Sequence, residues 1–177
     1  FHTRHILSST QNMMMKILAF DPSLSNWGYS IANYHNNQLD ILDYGVIQTK
    51  PSNSKERQNI KDFNRCQYLY QQLLPLVKSD IDMIIVELPT GSQSSRAMVS
   101  YASCIAITAC ISHTNPNINI VTPNQIKRLV GSPTASKDDV IDWVKQRHPN
   151  LKLPVKSKAE HICDSIVAIY AHLNIES

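Results

Sequence analysis

The sequence predicts an α/β domain, a mixed five-stranded sheet flanked by helices, with a three-stranded antiparallel meander and two parallel strands. Three observations carry this. Lys16 to Ile47 reads as three consecutive β-like runs joined by short polar connections. After residue 56, runs of strand length alternate with stretches of helical period. Ile17 to Phe20 and Ile81 to Val86 are near-continuous apolar runs, as strands covered on both faces require.

At 177 residues, 42% hydrophobic and 18% charged, the chain suits one globular domain with a proper core and excludes a disordered or fibrous class. The net charge of +3 is a mild basic bias, compatible with a polyanionic partner. Residues 1–14 show no sustained period and are expected to be a disordered extension or expression remnant, leaving 15–177 as the domain. They lack the apolar core and cleavage site of a signal peptide, so the expected location is the cytoplasm, or the DNA-containing compartment of an organelle or virus-infected cell. Cys66, Cys104, Cys110 and Cys163 have no metal-like spacing, and three of them are expected in helices as reduced core residues. The longest apolar run, Ala97 to Ile111, is shorter than a membrane span, so no membrane partner is expected.

The first strand, Lys16 to Asp21, ends on a carboxylate and is stopped by Pro22. Asp21 fits either a turn-opening Asp-Pro pair or a metal ligand at a strand end. Trp27 to Tyr34 and Leu39 to Ile47 follow, joined by His35-Asn36-Asn37-Gln38, a hairpin-length connector. Gln48 to Arg57 reads as a polar loop carrying Lys50, Lys55 and Arg57, which solvated loop charge would explain. Ile60, Phe63, Leu69, Leu73, Leu76 and Val77 mark the apolar side of a helix over about 56–77, broken near Pro75. Ile81 to Val86 then ends, like the first strand, on an acid, Glu87, followed by Pro89 and Gly91.

Ser92 to Ser112 predicts a helix rich in small residues, either a central core helix or one shared with a second subunit. Asn119 to Val121 gives a short strand. Thr122-Pro123 opens a helix to about Val130 that carries Lys127 and Arg128. Ser136 and Asp139 read as a capping box for a helix to about Arg147, with Asp138 and Asp139 placed there for capping and dipole reasons. The last helix runs from about Lys158 to Leu173 and presents His161 and Asp164, three apart, as neighbours. That spacing fits a ligand pair or an ordinary hydrogen-bonded pair.

If the two strands ending in Asp21 and Glu87 are adjacent, and the last helix crosses the same edge, several acids meet. Such carboxylates repel and take up protons unless cations neutralise them. Mg²⁺ or Mn²⁺, as two ions about 4 Å apart, would suit the set and phosphodiester hydrolysis.

Ile17-Leu-Ala-Phe-Asp21-Pro-Ser-Leu-Ser-Asn-Trp-Gly28-Tyr, Gly45-Val-Ile-Gln-Thr-Lys50, Ile84-Ile-Val-Glu87, Thr122-Pro-Asn-Gln-Ile-Lys127, Gly131 to Val140 with Lys137, and Ala159-Glu-His161-Ile-Cys-Asp164 occur in one order across residues 15–173. Together they resemble the RuvC family of Holliday-junction resolvases, in the RNase H-like fold. The resemblance implies a homodimer that cuts four-way DNA junctions by paired symmetric nicks. It implies Asp21, Glu87, His161 and Asp164 as metal ligands for two Mg²⁺ ions, with Mn²⁺ as substitute, and Lys127 and Lys137 as contacts to the scissile phosphate. Three positions depart from the family pattern. Ser23 replaces a Gly, His161 stands where an Asp is common, which shifts preference toward Mn²⁺, and the segment Leu88 to Arg96 lacks a wedging aromatic residue. This divergence suits a phage or organellar relative. The alternatives are an RNase H-like nuclease for flaps, branched DNA or RNA–DNA hybrids, a non-catalytic junction-binding protein, and a fragment of an actin-like kinase.

Overall fold

The computed structural model describes residues 13–175 apart from 51–52, 78–79, 114 and 116. The expected extension, residues 1–14, lies outside the described residues save Met13 and Met14, which precede the first strand. The strands are β1 (Met15–Asp21), β2 (Asn26–His35), β3 (Gln38–Gln48), β4 (Met83–Glu87) and β5 (Ile118–Val121). The helices are α1 (Gln58–Leu73), α2 (Ser95–Ser112), α3 (Pro123–Val130), α4 (Lys137–Arg147) and α5 (Lys156–Leu173). A 3₁₀ turn over Leu74–Leu76 follows α1, with Pro75 at the position where the sequence breaks the helix.

The strand order is β3-β2-β1-β4-β5. β1–β2 and β2–β3 pair antiparallel, and β1–β4 and β4–β5 pair parallel. The β2–β3 hairpin turns on Asn36 and Asn37 at φ 51° and 61°, a left-handed conformation that Asn tolerates well. β1 sits mid-sheet, and its alternation divides two apolar layers. Ile17 and Ala19 face α3, α4 and α5, while Leu18 and Phe20 face α1 and α2. All four are fully buried.

Two helices differ from their sequence pattern. In α1 the inward residues are Asp62, Arg65, Leu69 and Leu73, whereas Ile60 and Phe63 are exposed. Ion pairing inverts the N-terminal half. Asp62 receives both guanidinium nitrogens of Arg96, the Nη2 bond at 2.6 Å, and Arg65 bonds Thr49 Oγ1 and Ser25 Oγ, each at 2.7 Å. Helix α2 is not a central core helix. It buries Cys104, Ile107, Thr108 and Ile111 and exposes Met98, Val99 and Ile105. It is also longer than the apolar run that defined it, and by length and composition alone it is apolar enough to cross a membrane.

The four cysteines are free and all lie in helices. Cys104 and Cys163 are buried and Cys66 is half-buried, but Cys110 is exposed rather than in the core. Both capping boxes form, Thr122 with Gln125 and Ser136 with Asp139.

Candidate metal centre and its cleft

Phe20 of β1 stands opposite Val86 of β4 in a parallel pair, so the next residues, Asp21 and Glu87, end their strands side by side. Helix α5 packs across β2 and brings Asp164 to the same edge. One oxygen from each of Asp21, Glu87 and Asp164 lies within 4.8 Å of the other two. The close approach of α5 depends on Gly28, the antiparallel partner of Asp21. A Cβ at Gly28 would lie 2.8 Å from His161 Cβ and closer still to the His161 carbonyl oxygen. Ser165 Oγ donates to the Ile162 carbonyl at 2.7 Å and lies at hydrogen-bond distance, 3.0 Å, from the Ser30 hydroxyl of β2, tying helix to sheet inside the core.

The cluster is electrostatically unbalanced. Burial, then the charges of Asp21 and Asp164, push the Glu87 carboxyl up to about 9. Burial and the Asp21 charge push Asp164 up to about 7. Glu87 Oε2 is buried and has no hydrogen-bond partner. A buried carboxylate oxygen without a donor is costly, and a cation is the partner that satisfies it without a proton.

His161 is placed differently from the other three. Its Nδ1 lies 2.6 Å from Asp21 Oδ2, so the ring orients the acid, and it stands outside the three-carboxylate group. With Nδ1–H donated to Asp21, a neutral ring leaves Nε2 as an acceptor.

These residues line a cleft of about 340 Å³ shared with Lys127 of α3 and Lys137 at the start of α4. Lys137 Nζ donates to Glu160 Oε2 at 2.7 Å. Burial pulls its ammonium pKa down, but that bond and the charges of Asp164, Glu160 and Asp21 outweigh burial and leave it raised. Both lysines hold the Glu87 carboxyl lower than the acids alone would leave it. The structure thus brings all six sequence-derived residues to one cleft. It adds Tyr101 of α2, which carries no motif signal, and Ser136, which the sequence marks only as the N-cap of α4. Asp139 instead accepts the Ser136 N–H and hydroxyl, both at 2.7 Å, and serves as a cap.

Adjacent strand ends bearing acids, on a sheet whose antiparallel meander leads into parallel strands, place the chain in the RNase H-like α/β class. A model of the family described as crossover junction endodeoxyribonuclease RuvC matches residues 17–172, and the chain belongs to this family. A RuvC from Treponema denticola is 25% identical over 169 residues, covering 95% of this chain and 90% of that protein. One from Prochlorococcus marinus is 30% identical over 142 residues, covering 79% and 87%. Among solved structures, T. thermophilus RuvC in complex with a Holliday junction substrate superposes with a TM-score of 0.71 at 16% identity, covering 90% of this chain and 93% of that one. The yeast mitochondrial Holliday junction resolvase Ydc2 gives 0.60 at 11% identity, covering 94% and 82%.

Proposed function

We propose that this chain is a structure-selective endonuclease that resolves four-way DNA junctions by hydrolysing one phosphodiester on each of two strands. The observation that carries this reading is the meeting of Asp21, Glu87 and Asp164 within 4.8 Å in a cleft that also holds Lys127 and Lys137. Acids alone would repel a phosphodiester, and lysines alone would bind one without cutting it.

Asp21, Glu87 and Asp164 would hold divalent cations, and the unpartnered Glu87 oxygen together with the raised carboxyls of Glu87 and Asp164 fits that task. Two Mg²⁺ ions, with Mn²⁺ as substitute, would supply an activated water and stabilise the leaving 3′ oxygen. Asp21, contributed by the central strand, would be a ligand in this set beside Glu87 and Asp164. His161 fixes the Asp21 carboxylate through Nδ1, and its Nε2 is the ring nitrogen left to reach a cation or hold a proton. Lys137 and Lys127 draw the phosphate into the cleft and offset its developing charge. The domain is residues 15–177, and it acts wherever the junction DNA resides.

The exposed apolar residues of α2, Met98, Val99 and Ile105, support a homodimer formed through that helix. Two copies related by a two-fold axis present two clefts, which is what paired symmetric nicks on one junction require.

The test incubates purified protein with a four-way junction, a flap, an RNA–DNA hybrid and a linear duplex, each in Mg²⁺ and in Mn²⁺. Paired nicks confined to the junction are expected. Equal or faster cleavage of the flap or hybrid would overturn the junction reading.

A further inference from the structure

The basic loop after β3 takes no part in the acidic cluster, yet the fold returns it to the same edge of the sheet. β1 and β3 both run antiparallel to β2, and β4 runs parallel to β1. The strands ending in Asp21, Gln48 and Glu87 therefore all finish at one edge. Two strand spacings separate β3 from β1, roughly 10 Å.

At that edge a groove of about 270 Å³ is lined by Gln48, Lys50, Lys61, Asn64, Arg65 and Tyr68. It gathers three cations with no acid among its lining residues. The nearest acid in sequence, Asp62, is occupied by Arg96, by Gln58 Nε2 at 3.1 Å and by Arg65 Nη1 at 3.8 Å, so Lys50 and Lys61 supply the charge that the groove turns outward. Lys50, Asn64 and Tyr68 are exposed and Lys61 is half-buried, so charge and hydrogen-bond donors face outward.

The groove is also fixed in position. Arg65 is buried beneath it, with Nε on Thr49 and Nη2 on Ser25, and the Thr49 amide donates to the Ser25 carbonyl at 3.0 Å. Ser25 lies four residues after Asp21, in the turn that leaves the acidic cleft. The groove and the acidic cluster are thus held in register by one short segment of chain.

We propose that this groove is a second DNA site, which holds a backbone phosphate of a junction arm while the scissile phosphate lies at the acidic cluster. The inference rests on the junction-cleaving reading above. Contacts of this kind position a nucleic acid without reading its sequence, and each one adds to the salt dependence of binding.

The test measures junction affinity by fluorescence anisotropy in EDTA across a salt series. It compares wild type, Lys50→Gln with Lys61→Gln, Lys50→Arg with Lys61→Arg, and a control pair of equal charge change, Lys145→Gln with Lys152→Gln, which lies on α4 and the loop beyond it. The groove pair is expected to lower the slope of log K against log salt by about 1, since each phosphate contact contributes about 0.9. At about 0.1 M salt its affinity should fall roughly tenfold, and KM for cleavage should rise while kcat at saturation holds. The arginine pair and the control pair should stay near wild type, and all should keep the wild-type melting temperature. A groove pair that matches the control overturns the groove. Wild-type protein that does not bind the junction at any salt overturns the junction reading, and the groove's ligand with it.

Discussion

The carboxyl of Glu87 makes the metal-free protein sensitive to pH in a direction opposite to that of an ordinary surface acid. Its folded pKa is raised from 4.5 to about 9 by burial and by its acidic neighbours. Between those values the folded chain keeps a proton that the unfolded chain has released. The stability that this proton supports is therefore full below the unfolded value and is lost as pH climbs through the window. One such group changes stability by at most about 1.4 kcal/mol per pH unit, so raising pH from 5 to 7 removes up to about 3 kcal/mol. For a chain of this length, that lowers the melting temperature by about 5–10 °C. Glu87→Gln supplies a neutral side chain of the same shape. It should match wild type at pH 5 and melt several degrees higher at pH 7 in EDTA, by calorimetry or dye-based melting. Asp164, raised to about 7, leaves the variant a smaller residual slope. Saturating Mg²⁺ should stabilise wild type more at pH 7 than at pH 5, and Glu87→Gln should lose most of that gain. A metal-free wild type that falls no faster than the variant between pH 5 and 7 would refute the reasoning.

Four further outcomes are expected. Asp21→Asn should reduce junction cleavage by roughly 10³-fold or more, the scale of several kcal/mol of transition-state stabilisation, while gel-shift affinity stays near wild type; near-normal cleavage would sink the mechanism. His161→Asp should raise the ratio of activity in Mg²⁺ to activity in Mn²⁺, and an unchanged ratio would count against a cation-facing role for His161. Val99→Glu with Ile105→Glu should convert a dimer to a folded monomer by light scattering, with the circular dichroism spectrum intact. Gly28→Ala should cost about 1–3 kcal/mol in denaturant melts, because the new methyl meets α5 backbone that cannot yield as a side chain can.

The acids of the site were legible because each sits where packing would not choose it. Asp21 and Glu87 close apolar strands, and a carboxylate there calls for a partner beyond the core. The capping boxes at Thr122 and Ser136 were equally readable, since a cap is settled within four residues. What the sequence hid depends on partners far along the chain. Asp62 and Arg65 break the apolar pattern of α1, and nothing local shows that they point inward until Arg96, Thr49 and Ser25 are seen to meet them. With those pairs in place, Ile60 and Phe63 are left outside. The role of His161 was hidden in the same way. Its spacing to Asp164 suggests two ligands of equal standing, but the bond to Asp21 arises from how closely α5 lies on β2, and sequence spacing does not report that distance.

That approach of α5 is the step that converts a fold into a site. The strands alone bring two carboxylates together, which is a liability in the core. The third acid arrives because Gly28 offers no side chain and Ser30 offers a hydroxyl to Ser165, so the helix settles close enough to set Asp164 against Asp21 and Glu87. The same bare strand position lets His161 reach the acid that pairs with Gly28. Crowding of this kind raises the free energy of the ionised cluster when no cation is bound, as the raised Glu87 and Asp164 carboxyls express. A surrounding core that is fully buried on both faces of β1 can hold such strain. The affinity of the cluster for divalent cations and its cost to the metal-free fold are thus two readings of one geometry, and a substitution that relieves the second weakens the first.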